Sequence, residues 1–169
     1  MRYPTLLATV VLAGACARAE NFQQMQARIR AESDSMKTHF QAVAQRFGAW
    51  FGAGQADSLA ATYAVNAHLM PPGMPAVVGR DSIRAWFAGY FSQGPAGELT
   101  LQVLDASANG PMAVERGRWK IVPPAGSPMT ADSGKYLAHW HQIEGNRWQL
   151  VDDIWNSDVP PPPPPPRRR

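Results

Sequence analysis

Apolar residues recur at steps of three and four through Met36, Phe40, Val43, Phe47, Trp50 and Phe51, which puts them on one face of a helix. Asp34 or Ser35 is placed to cap its start, and Gly52 and Gly54 to close it. The polar stretch ahead of it, with Met25 and Ile29 scattered through it, suits a spacer helix. A short second helix is predicted over residues 57–63, with Leu59 and Tyr63 one turn apart. Pro71, Pro72, Gly73 and Pro75 then interrupt the chain, leaving residues 67–70 as a short strand running into a turn. A third helix is predicted over residues 80–91, capped by Asp81 and carrying Ile83, Trp86, Phe87 and Tyr90.

After Gly94-Pro95 the period changes to two: Leu99, Leu101 and Val103 alternate with Thr100 and Gln102. Two more strands are predicted over residues 112–122 and 135–143, and the turn at residues 144–147 leads into a last strand over 148–155. Helices first and antiparallel strands afterwards define an α+β domain.

The chain has 169 residues, 45% of them apolar and 17% charged, enough for one buried core and too short for two ordinary domains. Lys and Arg number 16 against 13 Asp and Glu, and Arg167, Arg168 and Arg169 supply the whole excess. The body therefore carries no net basic charge to hold a phosphate backbone, which argues against nucleic acid as a partner. There is no internal repeat, Gly-rich phosphate loop or His-Glu-x-x-His motif, so no cofactor is expected.

The two ends differ from the middle. Arg2, the apolar run of residues 6–13 and the small residues Gly14 and Ala15 before Cys16 form a secretory signal shape, too short for a permanent membrane span. Leu12-Ala13-Gly14-Ala15-Cys16 resembles a bacterial lipobox, while Ala17-Arg18-Ala19 offers a competing cleavage site. The favoured organisation is a signal over residues 1–15, a lipidated Cys16 opening a spacer over 16–33, a domain over 34–158 and a tail over 159–169. This implies a lipoprotein on the periplasmic face of a bacterial membrane, with a secreted or soluble periplasmic protein as the alternative. Cys16 is the single cysteine, so no intramolecular disulfide forms. The seven prolines of residues 160–166 favour an extended polyproline II arm tipped by the three arginines.

Three stretches, residues 63–72 (YAVNAHLMPP), 79–87 (GRDSIRAWF) and 134–158, together resemble the nuclear-transport-factor-2-like (NTF2-like) superfamily, in particular its SnoaL-like and DUF4440 members. The resemblance implies a cone in which three N-terminal helices pack on a curved antiparallel sheet. Residues 47–72 are similar to the opening of the ketosteroid-isomerase branch, with Gly54, Tyr63 and Ala67 in matching places, and 153–158 resembles the DUF4440 ending. The catalytic positions of that branch do not carry over. Phe47 stands where a Tyr donates to the oxyanion, Pro71 where the Asp base belongs, and Ala138 at the second oxyanion donor. Losing one such donor alone typically costs about two to three orders of magnitude in rate. Asn66 also replaces an Asp common in relatives, which removes a negative charge.

Six ionisable residues remain as candidates for chemistry: His68, Arg116, His139, His141, Asp152 and Asp153. A His meeting an Asp inside an apolar cone would make an acid–base pair, with His68, His139 and Asp153 as the catalytic candidates. His139 and His141 share a strand face with Leu137, and Tyr136, Ala138 and Trp140 occupy the other. Both faces carry apolar side chains, so alternation leaves open which one lines the cone. His68, His139, His141 and Asp153 are metal-ligand types without close spacing, and no metal is assigned. Tyr63, His68, Met70, Trp86, Arg116, His139, Asp153 and Trp155 are the candidate ligand-binding residues.

The favoured function is binding of a small apolar molecule or peptide in the cone by an exported, lipid-anchored domain. One alternative is an enzyme of the cyclase, dehydratase or isomerase kind using a His and Asp153 as proton shuttle. The other is an interaction module that forms a homodimer through the outer face of the sheet.

Overall fold

The computed structural model describes residues 6–127 and 129–160 of the chain, and of residues 6–20 and 146 the backbone alone. Of the tail predicted over 159–169, residues 161–169 lie outside the described residues. Helix α1 runs unbroken over Leu6–Gly52, since no Gly or Pro interrupts the sequence between Cys16 and Phe47. The helix start expected at Asp34 or Ser35 is therefore absent, and both residues sit inside the helix. Among the described residues no helix is long and apolar enough to cross a membrane.

Helix α2 (Ala56–Ala60) is shorter than predicted. The chain turns at Ala61, the Thr62 carbonyl accepts a hydrogen bond from the Leu150 amide at 2.8 Å, and Tyr63 opens strand β1 (Tyr63–Met70) instead of closing a helix. The short β2 (Val77–Val78) precedes α3 (Arg80–Phe91). Gly79, not Asp81, is the residue that caps α3, in the left-handed region at φ 89° and without any side-chain bond. Four long strands follow: β3 (Glu98–Asn109), β4 (Met112–Val122), β5 (Asp132–Ile143) and β6 (Arg147–Ser157).

The six strands form one sheet in the order β2-β1-β6-β5-β4-β3. All neighbours are antiparallel except β1 and β6, which run parallel, the chain passing through β2, α3 and the strands β3 to β5 before returning to the side of β1. The helices cover one face of this curved α+β sheet. Helix α1 is clipped to β3 by Gln41, whose Nε2 donates to the Leu101 carbonyl at 3.1 Å while its Oε1 accepts from the Val103 amide at 2.9 Å. Gly48 permits that approach: a Cβ there would lie 2.5 Å from the Leu99 carbonyl oxygen. The core centres on Phe40, Leu59, Tyr63, Leu69 and Ile83, all fully buried, with Phe40 stacked on Trp140 at 4.8 Å.

Two irregularities aim the side chains that matter. The β5–β6 register shifts between His139 and Trp140, which pair with Asp152 and Leu150, so Val151 is the extra residue of a bulge. Leu150 and Asp153, three apart, consequently face the helices together, and Asp152 points to the opposite side. The β1–β6 register also shifts between Tyr63 and His68, which leaves Tyr63 and Leu69 inward and His68 outward.

Candidate functional site

Between the helices and the inner face of the sheet lies a chamber of about 710 Å³. Its apolar wall includes Phe47, Phe87 and Tyr90 from the helices and Leu69, Trp140 and Leu150 from the sheet. Met129, Thr130, Ala131 and Val159 are lining residues that are also exposed, and they mark the mouth.

Two carboxyl groups stand in the chamber. Glu115 is 2% exposed. Its Oε1 accepts the Tyr136 hydroxyl and its Oε2 accepts the Trp140 indole N–H at 2.9 Å. Burial pushes its pKa up to about 7 and the Asp153 charge adds to this, while the Tyr136 and Trp140 bonds oppose it. Asp153 accepts the Tyr63 hydroxyl on Oδ2 at 2.6 Å. Among the described residues nothing pairs with its Oδ1. Protein encloses Asp153, yet the residue keeps accessible surface because it faces the hollow. Burial raises its pKa to about 6, opposed by the Tyr63 bond. Tyr63 and Tyr136 are both held above the ordinary phenol value, first by burial and then by their carboxylate neighbours.

The strand register explains how these groups meet. Glu115 pairs with Ala138, and Ala138 with Asp153, so the two acids lie in one cross-strand row, about 10 Å apart along the sheet. Ala138, small and 3% exposed, keeps the space between them open. Gly117 pairs with Tyr136, and a Cβ at Gly117 would overlap the Tyr136 ring. Its absence lets the ring lie over β4 and reach Glu115.

The face of β5 bearing Tyr136, Ala138 and Trp140 is the one that lines the chamber, and Leu137 is 46% exposed on the other side. Of the candidate residues, Tyr63, Trp86, Asp153 and Trp155 line the hollow. His68, Met70, Arg116 and His139 are not among its lining. Arg116 lies on the exposed face of β4, 3.9 Å from Asp105. His68 and His139 are brought together on the outer face, but by Asp152: His68 Nδ1 lies 3.2 Å from its Oδ1 and His139 Nδ1 2.8 Å from its Oδ2. The expected His–Asp153 proton shuttle is thus corrected: both histidines pair in register with Asp152, and Asp153, paired with Leu69 and Ala138, lies on the opposite face of the sheet. His141 is exposed beside His139, ring to ring at 4.8 Å. Among the described residues no group of three or more His, Cys, Asp or Glu is arranged to hold a metal ion.

Glu115 is the site residue that the sequence reading missed. Its signal lay in alternation: Ala113, Glu115 and Gly117 form the small, inward series of β4, while Val114, Arg116 and Arg118 form the outward one.

A curved sheet wrapped around a hollow under three helices is the NTF2-like, or cystatin-like, architecture, and solved structures match it. A ketosteroid isomerase-like protein from Erwinia carotovora atroseptica SCRI1043 superposes with a TM-score of 0.62 at 19% identity, covering 74% of this chain and 96% of that one. An NTF2-like protein of unknown function from Pseudomonas putida KT2440 gives 0.62 at 12% identity, covering 77% and 99%. A domain of unknown function with a cystatin-like fold from Nostoc punctiforme PCC 73102 gives 0.63 at 16% identity, covering 73% and 77%. At these identities the likeness shows the fold alone. The family follows from the sequence match: the SnoaL-like domain model covers residues 44–151, and the chain belongs to that family. Among curated proteins none matches the chain.

Proposed function

We propose that this SnoaL-like domain binds a small, largely apolar organic molecule in the chamber between its helices and its sheet. One observation carries the reading: a hollow of about 710 Å³, within the size range of small-molecule pockets, is walled by aromatic and aliphatic side chains around two carboxyl groups. The wall supplies desolvation and shape, and Asp153 supplies the polar contact that orients the guest. The enzyme reading is left with Asp153 as its accessible proton carrier and no imidazole beside it.

The test uses a neutral fluorescent naphthylamine probe. Saturable enhancement with the wild-type chain, lost in an Ala138→Phe variant that keeps the wild-type circular dichroism spectrum, is the expected result. Equal enhancement in both proteins refutes a chamber site.

The signal-like N-terminus supports a second part of the proposal, export with a lipid anchor on Cys16. Intact mass of the membrane-extracted protein should show acyl chains on Cys16, and a soluble product beginning at Glu20 overturns it. A separate reading, a homodimer through the sheet, is favoured by the exposed aliphatic side chains Val114, Leu137 and Ile154 on the outer face. Sedimentation across a concentration series tests it, and a monomer at every concentration excludes it.

A further inference from the structure

The chamber's charge is one-sided. Glu115 and Asp153 stand inside it and Asp132 borders its mouth, whereas none of its described lining residues is Lys, Arg or His. Outside residues 167–169 the chain holds as many basic as acidic side chains, so the asymmetry belongs to the hollow and not to the composition. Asp132 is committed locally, its Oδ1 accepting the Ser157 hydroxyl and the Ser133 amide, each at 2.7 Å. Glu115 has both oxygens occupied by Tyr136 and Trp140. Of the two acids inside the chamber, Asp153 alone combines a hydrogen bond on one oxygen with a second oxygen that no described residue partners.

The walls have the same preference. Trp86 stacks on Tyr90 at 6.1 Å and meets the edge of Trp155 at 6.1 Å, and all three rings line the hollow with Asp153. The face of an aromatic ring carries negative potential and attracts cations, Trp most strongly. A neutral apolar guest displaces water from the Asp153 carboxylate without replacing its hydrogen bonds, and an anionic guest adds repulsion; both are costly in a low-dielectric space. A cationic guest offsets both terms.

We propose that the molecule bound in the chamber is a hydrophobic organic cation, a protonated or quaternary amine on an aromatic or alicyclic body, with its nitrogen against Asp153 and its body between the aromatic walls. The assignment rests on the chamber-binding reading above and narrows its ligand to one chemical class.

Three fluorescent probes on one scaffold separate the two ideas: anthracenemethylamine, anthracenemethanol and anthracenecarboxylate, titrated at neutral pH into the full chain and into Asp153→Asn and Ala138→Phe. The amine should bind about tenfold more tightly than the alcohol, and the carboxylate more weakly than either. Asp153→Asn should remove the advantage of the amine while changing the alcohol less than about threefold. Equal affinities of amine and alcohol in the wild type, with both blocked by Ala138→Phe, overturn the cation assignment and leave chamber binding intact. An amine preference that survives in Asp153→Asn overturns the role given to Asp153. Failure of all three probes to bind overturns both readings.

Discussion

Replacing Glu115 by Gln measures what it costs to hold an acid where water does not reach. Its carboxyl moves from an ordinary 4.5 to about 7, with burial as the main cause, a displacement worth about 3 kcal/mol between its two protonation states. Below pH 4.5 the group is protonated in both the folded and the unfolded chain. From there to about pH 7 the unfolded chain releases its proton while the folded chain keeps it. Stability therefore falls as pH rises through this window and levels off above it. Gln does not ionise, so the variant lacks this slope. It pays instead a pH-independent penalty of about 1–3 kcal/mol, because Tyr136 and Trp140 donate to different oxygens and the amide NH2 that replaces one of them cannot accept. Urea denaturation followed by tryptophan fluorescence, at a series of pH values from about 4 to about 8, gives the difference in stability between the two proteins. The advantage of the wild type should shrink by about 3 kcal/mol across the window. Parallel curves, with a constant difference, would show that Glu115 is not shifted upward and that the row joining it to Asp153 is more hydrated than its burial indicates.

Three further outcomes follow from the packing. Phe40→Ala removes a fully buried ring stacked on Trp140 and should cost about 3–5 kcal/mol in chemical denaturation. Gly48→Ala sets a methyl group against the Leu99 carbonyl, where neither backbone yields cheaply. A loss of about 1–3 kcal/mol is expected, and an unchanged melting temperature contradicts the close approach of α1 to β3. His68→Ala and His139→Ala alter only the outer face, so fluorescent probe affinity in the chamber should stay within about twofold of the wild type; a large loss would tie the imidazoles to the site.

Legibility in the sequence followed local punctuation. Helix α3 and strand β4 have the bounds their flanking Gly and Pro residues announce, and the three carrying stretches led to the correct family and fold. What escaped was set by distant partners. Tyr63 reads as the end of a helix, and residues 64–66 as part of neither helix nor strand, until the Thr62 carbonyl is seen to accept the Leu150 amide, which draws them into the sheet. The start placed at Asp34 failed because a capping side chain ends nothing unless the preceding residues leave the helix. Asp152 and Asp153 are adjacent carboxyls that simple alternation sorts to opposite faces without saying which is inside, and the bulge at Val151 decides it. Glu115 sits in the polar run Glu115-Arg116-Gly117-Arg118, which looks solvated until its register with Ala138 and Asp153 is known.

Helix α1 has a consequence for how the domain is held in space. Residues 21–32 continue the helix beyond Ser33, whose hydroxyl donates to the Ala106 carbonyl of β3, with mostly exposed side chains, and at the rise of an α-helix they span about 18 Å. Under the anchoring proposed for Cys16, such a segment would act as a strut rather than a leash: it would fix both a stand-off distance and a heading for the opening of the chamber. A Gly-Pro pair inserted midway along this strut would release the bearing while leaving the folded body undisturbed.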